Sequence, residues 1–212
     1  MRALLIALLA CAVATPAPAA ELSRAEAIRG LSSPQADQRR EAVQRIGAVG
    51  RMQDAEPVLK LLFDPAAATR EAAEAAVWRI WSRSGDARID AMFSKGTGQM
   101  GSGDAQGAVA TFSEIIRRKP DFAEGWNKRA TVLFFLERYD ESLVDCAEVI
   151  KRNPNHFGAL AGYGQIYSRL DRLDLALEYF ERALTINPNM QGVAVNVLAL
   201  RKLLAERARK AI

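Results

Sequence analysis

Three prolines, Pro120, Pro154 and Pro188, stand 34 residues apart, and this spacing constrains the fold more than any other feature. Two further positions repeat with them: Ala108, Ser142 and Ala176 at one, and Phe112, Cys146 and Phe180 at the other. Proline cannot continue a helix, so each one marks an equivalent helix end. A period of this length is typical of helix pairs stacked in series. The spacing predicts three antiparallel helix pairs, at 89–120, 123–154 and 157–188.

The third unit carries the fullest pattern: Leu160, Gly164, Tyr167, Ala176, Phe180, Ala183 and Pro188. This pattern resembles the tetratricopeptide repeat (TPR), in which small residues allow close helix approach and large ones fill the space between layers. The second unit departs from it at Arg129, Ser142 and Cys146. The strings around Trp126 and Phe157 also resemble a group of bacterial and plastid TPR proteins. The resemblance implies a right-handed superhelix with a concave face that binds other proteins.

Residues 21–86 have a shorter period. The triplet Arg40-Glu41-Ala42 returns 30 residues later as Arg70-Glu71-Ala72. This resembles HEAT-like repeats, and the resemblance implies that the arginine reaches acidic or carbonyl groups of the neighbouring unit. We expect one continuous stack with a bend near Ser82–Asp86, where Trp78 and Trp81 fill the junction.

The last segment, 189–212, reads as a capping helix. Its apolar stripe consists of Val193, Val197, Leu200 and Leu204. No segment alternates with a period of two residues, so no sheet is expected. The sequence therefore predicts an all-α fold: an α-solenoid of HEAT-like helices at 21–86, three TPR units within 87–188 and a C-terminal capping helix.

The first twenty residues have the composition of an export signal. Arg2 precedes an uninterrupted run, Ala3 to Ala14, and Ala17 and Ala19 have the spacing that signal peptidase accepts. The run is short for a membrane span. We therefore expect residues 1–20 to be removed and the mature protein to be periplasmic or secreted. A lipoprotein acylated at Cys11 is the minor alternative. In the exported chain Cys146 would be the one remaining cysteine, and a buried apolar role is expected for it.

Helix geometry predicts which residues of each unit face the concave side. At 100° per residue, positions 2, 5, 9 and 13 of a unit point away from its partner helix. The predicted partner-binding groove consists of Phe93, Glu124, Asn127, Thr131, Phe134, Phe135, Gln165 and Arg169. Adjacent phenylalanines cannot both lie on the core stripe. Whether Phe134 and Phe135 line the groove or pack between units stays open at this point.

No pattern in the sequence predicts catalysis, a cofactor or a metal site. Residues 96–101 match GxGxxG, but a dinucleotide site needs a strand before these glycines and a helix opening after them. A frayed helix followed by a loose turn is expected instead. His156 has no second ligand at metal spacing and is interpreted as a polar turn residue. Asp140 and Glu141 fall at positions where repeat helices carry solvated charge.

These observations predict a non-enzymatic scaffold or adaptor of the cell envelope that binds a protein segment in the groove. The carboxylate clamp known in the TPR family is not expected, because Lys128 stands at its asparagine position and Gly158 and Gly162 at its cationic positions. The alternative is an anionic membrane surface bound by the basic last helix through Arg201, Lys202, Arg209 and Lys210. Nucleic acid is not expected as a partner of an exported protein. The oligomeric state is left open.

Overall fold

The computed structural model describes residues 21–210, and within that range the chain forms eleven α-helices and no strand. The helices are α1 (Arg24–Gly30), α2 (Ala36–Val49), α3 (Ala55–Lys60), α4 (Ala67–Trp81), α5 (Ala87–Gly101), α6 (Ala105–Arg118), α7 (Ala123–Phe135), α8 (Tyr139–Arg152), α9 (Phe157–Arg169), α10 (Leu173–Ile186) and α11 (Gln191–Lys210). Short 3-10 turns, Met52–Asp54 and Leu61–Phe63, flank α3. The all-α solenoid prediction is confirmed. The predicted signal peptide and Cys11 lie outside the described residues.

The helices α5 to α10 form three antiparallel pairs, which we call the repeat segment. Each proline of the 34-residue series follows the second helix of its pair by two residues, so the three prolines occupy equivalent places. The small residues act as predicted. A Cβ at Gly164 would lie 2.5 Å from Phe180 Cδ1, and one at Gly96 would lie 2.8 Å from Phe112. The second unit has alanine at this position, and the smaller Cys146 opposite makes room for it.

The glycine-rich stretch of the first unit is helical. α5 runs without interruption to Gly101, and only Gly103, in the turn that follows, has a positive φ, of 81°. The expected fraying is therefore wrong. The close packing of Gly96 against Phe112 holds this part of the helix in place. The GxGxxG residues lie within a helix, which is not the strand-turn-helix geometry of a nucleotide site.

The N-terminal segment (21–86) repeats with a period of 31 residues. Arg39 Nη1 donates to the carbonyls of Ser33 and Pro34, and Arg70 Nη1 donates to those of Asp64 and Pro65. The equivalent arginines are thus Arg39 and Arg70, so the pairing of Arg40 with Arg70 expected from the sequence is wrong by one residue. Arg39 also makes a two-bond contact with Asp64, at 2.6 and 2.9 Å. This contact links the two units of the segment.

The N-terminal segment lies alongside the repeat segment, and the expected continuous stack is wrong. The side chain of Asn189, which follows the third unit, donates from Nδ2 to the Leu62 carbonyl at 2.8 Å. Arg70 Nε donates to Asn189 Oδ1 at 2.9 Å. These contacts join residues more than one hundred positions apart. The segment therefore packs on the turns that connect the later units.

Trp78 and Trp81 fill the junction between the two segments, as predicted, but their partners belong to the third unit. Both rings contact His156 and Phe157, with centroid distances of 4.4 to 5.5 Å. Phe157 is fully buried and forms part of the core of the N-terminal segment. The start of α9 is thus shared between the two segments.

The last helix, α11, covers the open end of the third unit. Val193, Val197 and Leu200 are buried against α10, and Leu204 is half-buried beside them. Its outer face is basic. None of the helices within residues 21–210 combines the length and the apolar character needed to cross a bilayer.

Candidate functional site

A cavity of about 200 Å³ opens between the first helices of the second and third units, α7 and α9, with α8 behind them. We call it the groove cavity. Five residues of the predicted groove line it: Asn127, Thr131, Phe134, Phe135 and Gln165. The rest of its wall is made of small or apolar residues, among them Ala130, Cys146, Gly158, Gly162 and Ile166. Helix geometry alone therefore located most of this surface.

The polar groups of the groove cavity leave hydrogen-bonding capacity for a ligand. Asn127 Nδ2 donates to Glu124 Oε1 at 3.1 Å, which leaves the amide oxygen of Asn127 as an acceptor. Thr131 Oγ1 donates to the Asn127 carbonyl at 2.9 Å and can still accept. Gln165 is exposed on the opposite wall. Amide and hydroxyl groups of this kind match the alternating donors and acceptors of an extended backbone.

The two adjacent phenylalanines have different environments. Phe135 is 73% exposed, whereas Phe134 is half-buried and packs against Tyr139 at a centroid distance of 5.7 Å. The guanidinium of Arg169 lies 6.0 Å from the Phe134 ring, a cation–π arrangement. Phe134 therefore serves both packing and the cavity wall. Phe135 offers a large aromatic surface to solvent beside the cavity.

Two glycines and a buried thiol form the floor. A Cβ at Gly162 would meet Cys146 Sγ at an ordinary 3.5 Å, so the space above this helix face is open because residue 162 has no side chain. Cys146 is buried, and burial raises the pKa of its thiol to about 12. The thiol is thus protonated and acts as an apolar surface, as predicted.

Two predicted groove residues are wrong. Phe93 is only 8% exposed, and its ring packs against Phe112 and Phe122 in the core of the first unit, at centroid distances of 5.9 and 5.4 Å. Glu124 is 1% exposed and faces His156. A calculation from helix geometry gives the direction of a side chain but not what covers it. Glu124 is covered by the N-terminal segment, and Phe93 by the start of the second unit.

His156, interpreted from the sequence as a turn residue, caps α9 from a fully buried position. Its Nδ1 accepts from the Ala159 backbone N–H at 3.0 Å, so the ring proton lies on Nε2. Nε2 donates to Glu124 Oε2 at 2.9 Å. The Trp81 ring stacks on the imidazole at 4.4 Å. A polar pair thus joins α7 to α9 beneath two tryptophans.

The charge of Glu124 is stabilised inside this cluster. Burial alone would raise the pKa of its carboxyl, but the His156 hydrogen bond and the nearby Lys128 ammonium outweigh it and lower the pKa. Lys128 Nζ lies 3.3 Å from Glu124 Oε1 and 5.9 Å from the centroid of the Trp78 ring. The sequence contained one signal for this cluster that was not used: a lone histidine 32 residues after a glutamate, close to the repeat period.

Trp78 closes one end of the groove. A Cβ at Gly158 would overlap Trp78 Cη2, so the indole rests directly on the α9 backbone. Gly158 is one of the two glycines at positions where the carboxylate clamp has cations. The N-terminal segment thus occupies that end of the concave face, and the groove cavity lies beyond it, toward the C-terminal ends of α7 and α9.

The described residues offer no alternative site for chemistry. Between residues 21 and 210 no group of three or more His, Cys, Asp or Glu side chains is placed to hold a metal ion. Asp140 and Glu141 are exposed, and Glu141 pairs with Arg138 at 2.6 Å. The groove cavity is therefore the strongest candidate site in this part of the chain.

The fold and the site together define a class: an α-solenoid of stacked helix pairs with a peptide-sized groove on its inner face. Family models described as tetratricopeptide repeat match residues 93–146 and 160–190. The chain therefore carries tetratricopeptide repeats, and this part of the sequence-based prediction is confirmed.

Curated proteins and solved structures agree with this assignment. A TPR repeat-containing protein from Rhizobium etli is 36% identical over 108 residues, which cover 51% of this chain and 53% of the relative. A small glutamine-rich tetratricopeptide repeat-containing protein from Dictyostelium discoideum is 26% identical, covering 58% of this chain and 38% of that protein. The chain thus spans about half, or less, of the length of these relatives.

Two solved structures are similar in fold. The first TPR of Spaghetti (RPAP3), bound to an HSP90 peptide, superposes with a TM-score of 0.54 at 21% identity, covering 57% of this chain and 96% of that one. The Sgt2 TPR domain from Aspergillus fumigatus gives 0.56 at 15% identity, covering 60% and 85%. At these identities the likeness establishes the fold alone.

Proposed function

We propose that this protein is a non-enzymatic adaptor that binds an extended segment of another protein in the groove cavity. The observation that carries the proposal is the cavity itself, in which free amide and hydroxyl groups surround an apolar floor opened by Gly158 and Gly162. A bound segment would place its backbone against Asn127, Thr131 and Gln165. One of its apolar side chains would enter the floor, where burial contributes roughly 25 cal/mol per Å².

The exposed ring of Phe135 supports this proposal from the rim. Large aromatic residues are enriched where proteins bind one another. The Spaghetti (RPAP3) TPR, which has the same fold, is bound to an HSP90 peptide. The ligand of this protein differs from such a peptide, because Trp78 covers the end of the groove where a carboxylate clamp would stand. We propose an internal segment, held by its backbone and one apolar anchor, as the ligand.

A selection experiment with matched variants tests this function. A library of random twelve-residue peptides is selected on the protein, and the enriched peptides are measured by fluorescence anisotropy. Gly162→Leu fills the floor of the cavity without disturbing the core and should abolish binding. Gly192→Leu is the control, because that helical glycine has open space around it. Phe135→Ala should weaken binding about tenfold. Equal binding by the protein and by Gly162→Leu would contradict the proposal.

The proposed location is the cell envelope, on the basis of the composition of residues 1–20. Its test is cell fractionation with N-terminal sequencing of the mature protein, where a first residue at or near Glu21 is the expected result. A mature protein that retains Met1 would contradict it. An N-terminus blocked by an acyl group at Cys11 would assign the protein to the lipoproteins.

The alternative partner, an anionic membrane surface, would bind α11. The basic residues Lys202, Arg209 and Lys210 are exposed, together with the apolar Leu198 and Leu203. Arg201, by contrast, pairs with Glu181 at 2.7 Å. Co-sedimentation with vesicles of mixed neutral and anionic lipid tests this function. Binding that disappears at high salt and in a Lys202→Glu/Lys210→Glu variant would support it, since surface attraction is screened within a Debye length.

A further inference from the structure

A second cavity, of about 170 Å³, lies where the N-terminal segment meets the repeat segment. We call it the seam cavity. The N-terminal segment contributes Met52, Trp81, Arg83 and Ser84, and the repeat segment contributes residues 119–123 and 152–153. It shares no residue with the groove cavity. Its lining contains three cations and one carboxylate, Asp121, which is exposed.

Among these cations, Arg83 is the least compensated. Its Nη1 and Nη2 donate to the carbonyls of Gly47, Ala48 and Gly50 at the end of α2, at 2.8 to 2.9 Å. No carboxylate forms an ion pair with it within residues 21–210. Burial lowers the pKa of Arg83, against the opposing effect of Asp90. The other two cations have partners: Lys119 lies 3.4 Å from Asp121, and Arg152 pairs with Glu148.

Two buried N–H donors at the seam cavity have no acceptor. Trp81 Nε1 and Asn153 Nδ2 both lie in residues that line the cavity, and neither has a hydrogen-bond partner among the described residues. A buried donor without a partner costs free energy and needs an explanation. Asn187, at the equivalent position of the next turn, shares the unpaired amide, so the Asn153 amide reflects the turn. Trp81 has no such equivalent and carries the argument.

The seam cavity also lies at the N-terminus of a helix. α7 begins at Ala123, and its N-cap residue, Phe122, supplies no side-chain acceptor for the first backbone N–H groups. By contrast, α9 is capped by the His156 ring. The positive end of a helix of 13 residues therefore faces the cavity without a capping acceptor.

From these features we infer that the seam cavity is a binding site for a small oxyanion, a carboxylate or phosphate group, held between the two segments. The anion would accept from the indole N–H of Trp81 and from the Asn153 amide, and would face Lys119, Arg83 and the start of α7. Because its donors come from both segments, binding would hold the N-terminal segment to the repeats.

Titration of the full chain with inorganic phosphate tests this site. Isothermal calorimetry at constant ionic strength should give saturable binding of one equivalent, and thermal unfolding should move to higher temperature as phosphate rises. Trp81→Phe keeps an aromatic ring over His156 but removes the N–H, so it should weaken phosphate binding roughly tenfold. Competition by acetate would extend the site to carboxylates, and its absence would assign it to phosphate.

Lys119→Gln keeps the experiment decisive if Trp81→Phe fails to fold, because Lys119 is a partly exposed side chain at the cavity wall. It should also weaken binding, whereas Lys95→Gln, at an exposed site on α5, should not. Absence of saturable binding to the unaltered protein would overturn the inference. Equal affinity in the unaltered protein, Lys119→Gln and Lys95→Gln would overturn it as well. The groove variants of the preceding section should leave phosphate binding unchanged, so the two sites fail or stand separately.

Discussion

His156 Nε2 lies 2.9 Å from Glu124 Oε2, and neither side chain is accessible to solvent. The pair connects the second helical unit to the third, while Trp78 and Trp81 of the N-terminal segment cover it. Because the other imidazole nitrogen accepts from a backbone N–H, the histidine is neutral and the glutamate carries the charge. The stability of the junction therefore depends on one buried carboxylate and its three side-chain partners.

Removing the histidine should destabilise the protein strongly. His156→Asn can still cap α9, but its shorter side chain does not reach Glu124. We expect a loss of about 2–3 kcal/mol in the free energy of unfolding, since a buried charge loses a donor. Urea unfolding followed by circular dichroism measures the loss. In a double variant with Glu124→Gln, the total loss should be smaller than the sum of the two single losses. Strict additivity would mean that the two residues do not interact.

The same carboxylate predicts a pH dependence. The pKa of Glu124 is lower in the folded protein than its usual 4.5, so its contribution to stability is present above that pH and is lost as the pH falls below it. The difference in stability between the protein and Glu124→Gln should therefore be largest near neutral pH and shrink below about pH 4.5. Unfolding curves for both proteins at several pH values provide the test. A difference that grows in acid would reverse the sign of the proposed shift.

Alanine at the two groove glycines should have opposite effects. Gly158→Ala introduces a Cβ that overlaps Trp78, so we expect a loss of about 1 kcal/mol or more. Gly162→Ala meets only an ordinary contact and should raise stability by up to about 1 kcal/mol through helix propensity. Thermal or urea unfolding distinguishes the two. Similar stabilities for both variants would show that Trp78 moves away at little cost.

The departure of the second unit from the repeat pattern at Arg129 is compensated by an ion pair. Arg129 donates two hydrogen bonds to Asp145, at 2.7 and 2.8 Å, and a third to Ser113 at 2.9 Å. Asp145→Ala should cost about 2 kcal/mol, because the carboxylate is buried and the guanidinium loses its partner. The exposed pair Arg138 and Glu141 is the matched control, and Glu141→Ala should cause little change. Equal losses at both sites would contradict this difference.

Cys146 should be unreactive in the folded protein. A thiol pKa of about 12, against an ordinary 9.0, reduces the thiolate fraction roughly a thousandfold. In a Cys11→Ser background, a disulfide reagent at pH 8 should react rapidly with Cys146 only after denaturation. Rapid reaction without denaturant would indicate that the floor of the groove cavity opens to solvent.

The sequence was sufficient to predict the fold of the repeat segment, because its period is written in residue size. Gly164 and Phe180 occupy one contact, and Gly96 and Phe112 the equivalent one, so the spacing of these pairs determines how the helices pack. Five of the eight predicted groove residues line the groove cavity for the same reason. Their direction follows from helix geometry alone.

What the sequence could not predict depends on contacts between distant parts of the chain. Glu124 was expected in the groove because its helix position points there, yet the tryptophans of α4 lie above it. The contacts of Asn189 with Leu62 and Arg70, which place the N-terminal segment beside the repeats, leave no periodic signal. The unpaired indole N–H of Trp81 became visible only when its surroundings were known.

Solenoids commonly evolve by gaining or losing whole units, since each unit contacts only its immediate neighbours. In this protein one lateral element reaches the turn before α9 and the turn before α11 at once. Insertion of a further 34-residue unit between those turns would separate them, and Trp78 and Arg70 could no longer reach both. The number of units between residues 123 and 188 is therefore fixed by the element that lies across them, in the way that a brace fixes the distance between two posts.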